Sequence, residues 1–172
     1  MSRRSHANRD AVDVRTRDLD RATEPSPVRG RAGSAATRQV LSLVTAAGLG
    51  VDAYLHWQLA PGFDTLIGTG SPHISQGQLF RLEAVLCLIA MLLVLLTRHR
   101  LAALVAFLIA AGGLAAVLLY GHIDVGGFGP LPDMYDPVWY PEKTISAVAE
   151  AVAAVAALCL LLMPSVTSDT DS

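Results

Sequence analysis

The sequence predicts an all-α fold, a bundle of four transmembrane helices with both termini in the cytoplasm. Three observations carry this reading. Of the 172 residues, 52% are hydrophobic and only 16% charged, with a mean hydropathy of +0.45, a balance that ordinary soluble domains do not have. The apolar residues are gathered into four runs of about 20, the length that crosses a hydrocarbon core of roughly 30 Å as a helix. No run alternates polar and apolar residues with a period of two, which excludes membrane strands.

Residues 1–38 read as a disordered basic tail on the cytoplasmic side. They contain no aromatic residue and few aliphatic ones, and Pro25, Pro27, Gly30 and Gly33 precede the membrane. The first span is 39–60 (QVLSLVTAAGLGVDAYLHWQLA), interrupted by Asp52 and His56 and closed by Pro61 and Gly62. Asp52, Tyr54, His56 and Trp57 stand where a cleavable signal would carry small residues, so the run is expected to stay as an anchor. The second span, 79–97, stops at Arg98, His99 and Arg100. The third, 101–120, follows almost without a loop, and the fourth, 145–163, ends before Pro164. Residues 164–172 form a short acidic tail.

Charge orients the spans. The first 38 residues hold nine Arg against five acidic residues, whereas the rest of the chain has a net charge of −6. Arg29, Arg31 and Arg38 abut the first span, and Arg98 and Arg100 fill the turn between the second and third. The segments 61–78 and 121–142 carry no Lys or Arg, and the positive-inside bias places them outside.

Small residues recur every fourth position in two spans: Ala102, Ala106 and Ala110 in the third, Ala149, Ala153 and Ala157 in the fourth. Such stripes let helix backbones approach closely in lipid. Gly112 and Gly113 mark a second point of close approach or bending. The Ala-rich fourth helix is expected to pack against protein over a wide arc. Cys87 and Cys159 lie at different depths, too far apart for a disulfide, and read as apolar thiols filling helix interfaces.

Ionisable residues inside the spans carry the functional argument. Asp52 and His56 are an i,i+4 pair on one helix face. Glu83, with Arg81 nearer the surface, lies about one turn into the second helix, and Glu150 lies roughly 7–10 Å into the fourth, with Ser146 one turn above it. His122 and Asp124 cap the outer end of the third. A charged group costs roughly 2.5–3.5 kcal/mol at the membrane centre, so Asp52, His56, Arg81, Glu83 and Glu150 are expected to converge inside the bundle.

Four readings of that cluster stand open. It is an interhelical network of hydrogen bonds and ion pairs, an outward-opening pocket for a small molecule, lipid or quinone, a proton or cation pathway, or a metal or haem site using His56, His122 and the carboxylates. The cytoplasmic halves of the spans are almost free of polar residues, which places transport below binding or an accessory, structural role. There is no H-E-x-x-H and no C-x-x-C-H, so the sequence names neither a reaction nor a cofactor.

The outer loops have their own chemistry. The stretch 68–77 is Gly-rich but lacks the Lys and the strand of a nucleotide loop, and reads as a turn into the second helix. In 121–144, Pro130, Pro132, Pro137 and Pro141 restrict the backbone, while Tyr135, Trp139 and Tyr140 form an aromatic belt where the chain re-enters the membrane. This loop is either an ordered lid over the cluster or a simple interfacial loop.

The combination DAYLHW, ISQGQLFRLEA and GPLPDMYDPVWYPEKTISAVAEA resembles a set of small four-span actinobacterial membrane proteins of no established function. The likeness covers about residues 40–163 and implies an intact bundle in a bacterial cytoplasmic membrane. In size and topology alone the chain is also similar to the DoxX group of four-helix membrane proteins, a likeness that transfers no residue and no activity. The expected partners are the lipid bilayer and either a membrane protein or a second copy of the chain. Nucleic acid is not among them, because the basic charge sits in a short tail rather than on a folded surface.

Overall fold

The computed structural model describes residues 27–71 and 73–163, with side chains from Ser34 onward. The tails 1–26 and 164–172, expected to be disordered, lie outside the described residues. The chain divides after Thr37 into two compact units. Of the first, the described part is the start of a helix; the second contains the bundle.

The elements follow in order: α1 (Pro27–Leu59), a 3-10 turn (Ala60–Phe63), α2 (Gln76–Leu96), α3 (Arg100–His122) and α4 (Pro141–Leu162). All four helices are long and apolar enough to cross a membrane. All four begin before the apolar runs do, because a helix continues into polar flanks that a hydropathy argument does not count. Thus α1 starts at Pro27, within the segment expected as a tail. Ser75 and Gln78 start α2 at Gln76 through a reciprocal capping box: the Gln78 amide donates to Ser75 Oγ at 3.1 Å and the Ser75 amide to Gln78 Oε1 at 2.9 Å. Pro141 occupies the first turn of α4, where its missing N–H costs nothing, and Glu142 follows as an acid near the positive helix end.

The packing is the reverse of a water-soluble bundle. Among the described residues, fourteen of the nineteen buried hydrophobic ones are alanines, while Leu82, Leu88, Ile89, Leu92, Leu108 and Val155 are exposed. Large side chains facing outward are what lipid solvates, and small ones inside let the helices close on one another. Ala102, Ala106 and Ala110 of the predicted stripe in α3 are all buried. Among α2, α3 and α4, the most extensive contact is between α3 and α4.

From the other side α1 approaches α4 at Gly48, where a Cβ would lie 2.7 Å from the Ala149 carbonyl oxygen and 2.9 Å from Ala153 Cβ. The fourth helix therefore touches protein over a wide arc, burying residues from Lys143 to Leu160. At the end of the bundle away from the long loops, Arg100 Nη2 donates to the Met163 carbonyl at 2.8 Å, tying the start of α3 to the end of α4.

The two long loops meet at the opposite end. The Gly70 amide donates to the Gly129 carbonyl at 2.9 Å, and the Ile74 amide to the Pro130 carbonyl at 3.2 Å. Gly129 sits at φ +58°, a left-handed conformation that turns the chain between Phe128 and Leu131. A third bond, from the Asp136 amide to the Tyr120 carbonyl at 3.0 Å, fastens the second loop back onto the end of α3.

Candidate functional site: a buried carboxylate cluster

Asp52 is fully buried on α1, and its two oxygens are engaged by three helices. Oδ1 accepts from the Ser146 hydroxyl of α4 and lies 3.1 Å from Nδ1 of His56, one turn along α1. Oδ2 accepts from the Cys87 thiol of α2 at 3.3 Å, and the same sulfur lies 3.6 Å from Glu83 Oε1. His56 Nδ1 is also 3.1 Å from the Asp52 carbonyl oxygen, so a proton on that nitrogen serves the backbone and the carboxylate together. The edge of the His56 ring packs against Phe80, with ring centroids 5.0 Å apart.

Glu150 stands one turn below Ser146 on α4, is 1% exposed, and has no hydrogen-bond partner for either oxygen among the described residues. The space it occupies is provided by Gly113 of α3. A Cβ there would collide with Glu150 Oε1 and lie 3.3 Å from Glu83 Oε1. All four helices thus shape one site, α3 by withholding a side chain. Donor atoms of Asp52, His56 and Glu150 lie within 4.8 Å of one another, as do those of Asp52, Glu83 and Cys87. Counting from the helix starts at 1.5 Å per residue, Glu83 lies about 10 Å and Glu150 about 13 Å into the bundle.

A cavity of about 280 Å³ opens beside the cluster. His56, Gln76, Glu83, Lys143 and Ser146 form its polar side; Leu79, Phe80, Ala116 and Val117 form apolar walls; Met134, Asp136 and Tyr140 line it from the second loop. The part of that loop lining the cavity is fastened to α3 by the bond from the Asp136 amide to the Tyr120 carbonyl. Tyr140 sits just outside the fourth span. Partial burial, with the Asp136 and Glu142 carboxylates nearby, holds its phenol above the ordinary value, so at neutral pH it is an O–H donor.

The structure brings Asp52, His56, Glu83 and Glu150 together. Arg81 is not with them: its guanidinium makes two parallel hydrogen bonds of 2.7 Å to Asp64, in the loop just after the 3-10 turn. Of the residues expected in one network, Arg81 is therefore set apart in a surface pair with Asp64, while His56 and the carboxylates form a separate buried cluster. His122 lies at the end of α3, its Nδ1 2.8 Å from the Leu118 carbonyl and its ring 6.1 Å from that of Trp139, away from the carboxylates. Asp124 and Tyr135 are exposed members of local turns, in which Asp124 accepts from the Gly126 amide and the Tyr135 amide donates to Asp133.

Three participants are not evident from sequence. Cys87, which composition reads as an apolar filler, donates to Asp52. Lys143 is buried, donating to the Asp136 and Val138 carbonyls with its ammonium 5.3 Å from the Trp139 ring centroid. Asp64 is the partner of Arg81. No protein-family model, curated protein or solved structure matches this chain.

Proposed function

We propose that the protein is a membrane-embedded binding protein that takes a small, largely apolar molecule with one hydrogen-bond donor, such as an alcohol, phenol or amine, into the cavity beside Glu83. The cavity itself carries this reading. Apolar walls with a few convergent polar groups are the usual makeup of a small-molecule site, and Glu83 reaches that space without an ion pair to Lys or Arg among the described residues, the Lys143 of the same lining being paired with Asp136. The donor of the ligand would meet the Glu83 carboxylate, and the Tyr140 hydroxyl at the mouth offers a second contact. Arg98 and Arg100 lie at the end of the bundle away from the cavity, which supports an orientation with both termini in the cytoplasm and the cavity facing outward.

Saturable binding of the fluorescent phenol 1-naphthol to purified protein in nanodiscs tests this. Ala116→Phe, which fills the cavity from α3, should abolish binding. Glu83→Ala should weaken it about tenfold, as expected for the loss of one hydrogen bond. Binding unchanged in both variants would refute the reading.

A further inference from the structure

We propose that Asp52, His56 and Glu150 form a binding site for a single divalent transition-metal ion, with zinc the best match to the donors. The site goes beyond the ligand cavity and does not depend on it. Two carboxylates and an imidazole from two helices present donor atoms within 4.8 Å of one another. Zinc bonds of roughly 2.0–2.2 Å in a tetrahedral site put ligand atoms about 3.4 Å apart, so modest side-chain rotations close the triad.

Glu150 supplies the independent observation. Its carboxyl group is 1% exposed, and neither oxygen has a hydrogen-bond partner among the described residues. A buried polar group left without a partner is costly. Gly113 keeps space for this one side chain, at a position where an alanine would collide with it. A ligand that bonds to the carboxylate accounts for both facts.

Charge points to a cation. Asp52, Glu83 and Glu150 meet in one place, and among the described residues the basic side chains of α2 and α4 are paired with other acids, Arg81 with Asp64 and Lys143 with Asp136. Deprotonated on binding, these carboxyl groups would supply the negative charge that a dication takes up. Donor chemistry narrows the choice. Calcium takes six to eight oxygens and magnesium prefers octahedral oxygen and water, whereas mixed nitrogen and oxygen ligands, with a thiol one helix away, suit zinc and its neighbours. Around the triad, Ser146 and Cys87 donate to Asp52 and fix its orientation, as outer groups do in metal sites. His56 also lines the cavity, which gives the ion a way in.

The test is equilibrium dialysis of chelator-stripped full-length protein in detergent against zinc chloride, with metal quantified by mass spectrometry. One zinc ion per chain is expected, with binding at least tenfold weaker in Glu150→Gln and in His56→Ala, and unchanged in Asp64→Asn, which removes a carboxylate remote from the triad. Zinc should also raise the melting temperature of the wild-type protein where magnesium does not, a measurement that needs no variant to fold. Absence of stoichiometric zinc and of the melting shift would overturn the proposal, and would leave the carboxylates to share protons among themselves. Zinc that binds equally to Glu150→Gln and His56→Ala would overturn it as well. Naphthol binding is read separately, so failure of one site is distinguishable from failure of the other.

Discussion

Gly113 on α3 and Glu150 on α4 divide a single space between them: the carboxylate fills the volume that a Cβ on residue 113 would need. Gly112, its neighbour in the chain, meets nothing within 4 Å at the same position. Gly113→Ala should therefore destabilise the bundle by about 1–3 kcal/mol, the usual cost of overpacking, while Gly112→Ala should be neutral or stabilising by up to ~1 kcal/mol from helix propensity. Unfolding in mixed detergent compares them. Shortening the opposing side chain in Gly113→Ala/Glu150→Ala should recover part of the loss; equal behaviour of the two glycines would contradict the packing.

A second pair of glycines separates α1 from its neighbours. Gly48 faces the Ala149 backbone, which cannot move aside, whereas a Cβ at residue 50 would meet Met91 Sδ at 3.4 Å, near the end of a flexible side chain. Gly48→Ala should lower stability by about 1–3 kcal/mol, and Gly50→Ala by less than ~1 kcal/mol. Melting temperatures in one detergent give the comparison.

Cys87 is expected to matter as a donor more than as a filler. Cys87→Ala withdraws the proton offered to Asp52 Oδ2 and should cost about 1–3 kcal/mol, whereas Cys87→Ser keeps a donor and should cost less. Cys159, exposed near the end of α4, should tolerate alanine without measurable effect. Chemical denaturation of the three variants checks the order.

The Arg81–Asp64 pair gives a pH signature. Two hydrogen bonds from the guanidinium, and then its charge, hold the Asp64 carboxyl below its ordinary value of 3.8. A depressed value means that the pair contributes stability above the unfolded value and loses it as pH falls through the folded one. The difference in melting temperature between wild type and Asp64→Asn should thus be present at about pH 5 and shrink toward about pH 3. Arg81→Ala should not add to Asp64→Asn, and neither should alter zinc binding. A difference that stays constant with pH would rule out the carboxylate as its source.

Orientation is open to direct labelling. Single cysteines placed at Thr69 and Met134 in a background lacking Cys159 should react with a membrane-impermeant maleimide in intact cells, while cysteines at Ser26 and Ser168 should react only after lysis. The opposite pattern would invert the orientation.

The four spans are legible in the sequence because an uninterrupted apolar run of about 20 residues matches the thickness of a bilayer and exceeds what a small soluble core can bury. Asp52, Glu83 and Glu150 stand out because carboxylates inside such runs are expensive, and their convergence follows from the same cost. Other partners are not legible. Sequence proximity groups Arg81 with the cluster, two residues from Glu83, but residues two apart on a helix point away from one another. Its true partner, Asp64, is brought within reach by the 3-10 turn and by Gly77, which lets the start of α2 close on Asp64. Lys143 reads as a surface charge at a helix start and is instead folded under the loop that precedes it. The start of α2 is legible in principle: Ser75 and Gln78 have the spacing of a capping box, but the apolar run draws the boundary three residues later.

The bonds from Gly70 to Gly129 and from Ile74 to Pro130 join segments separated by more than fifty residues of chain, and that separation has a consequence for biosynthesis. A ribosome delivers the α1–α2 hairpin long before Gly129 exists, and Glu150 emerges later still. For that interval Asp52 and Glu83 wait in a half-built hairpin, without Ser146 and without the second loop that lines the cavity. The nascent protein must therefore shelter two acidic side chains by other means, through water drawn into the hairpin or the grip of the insertion machinery, until the last helix arrives and seals them in.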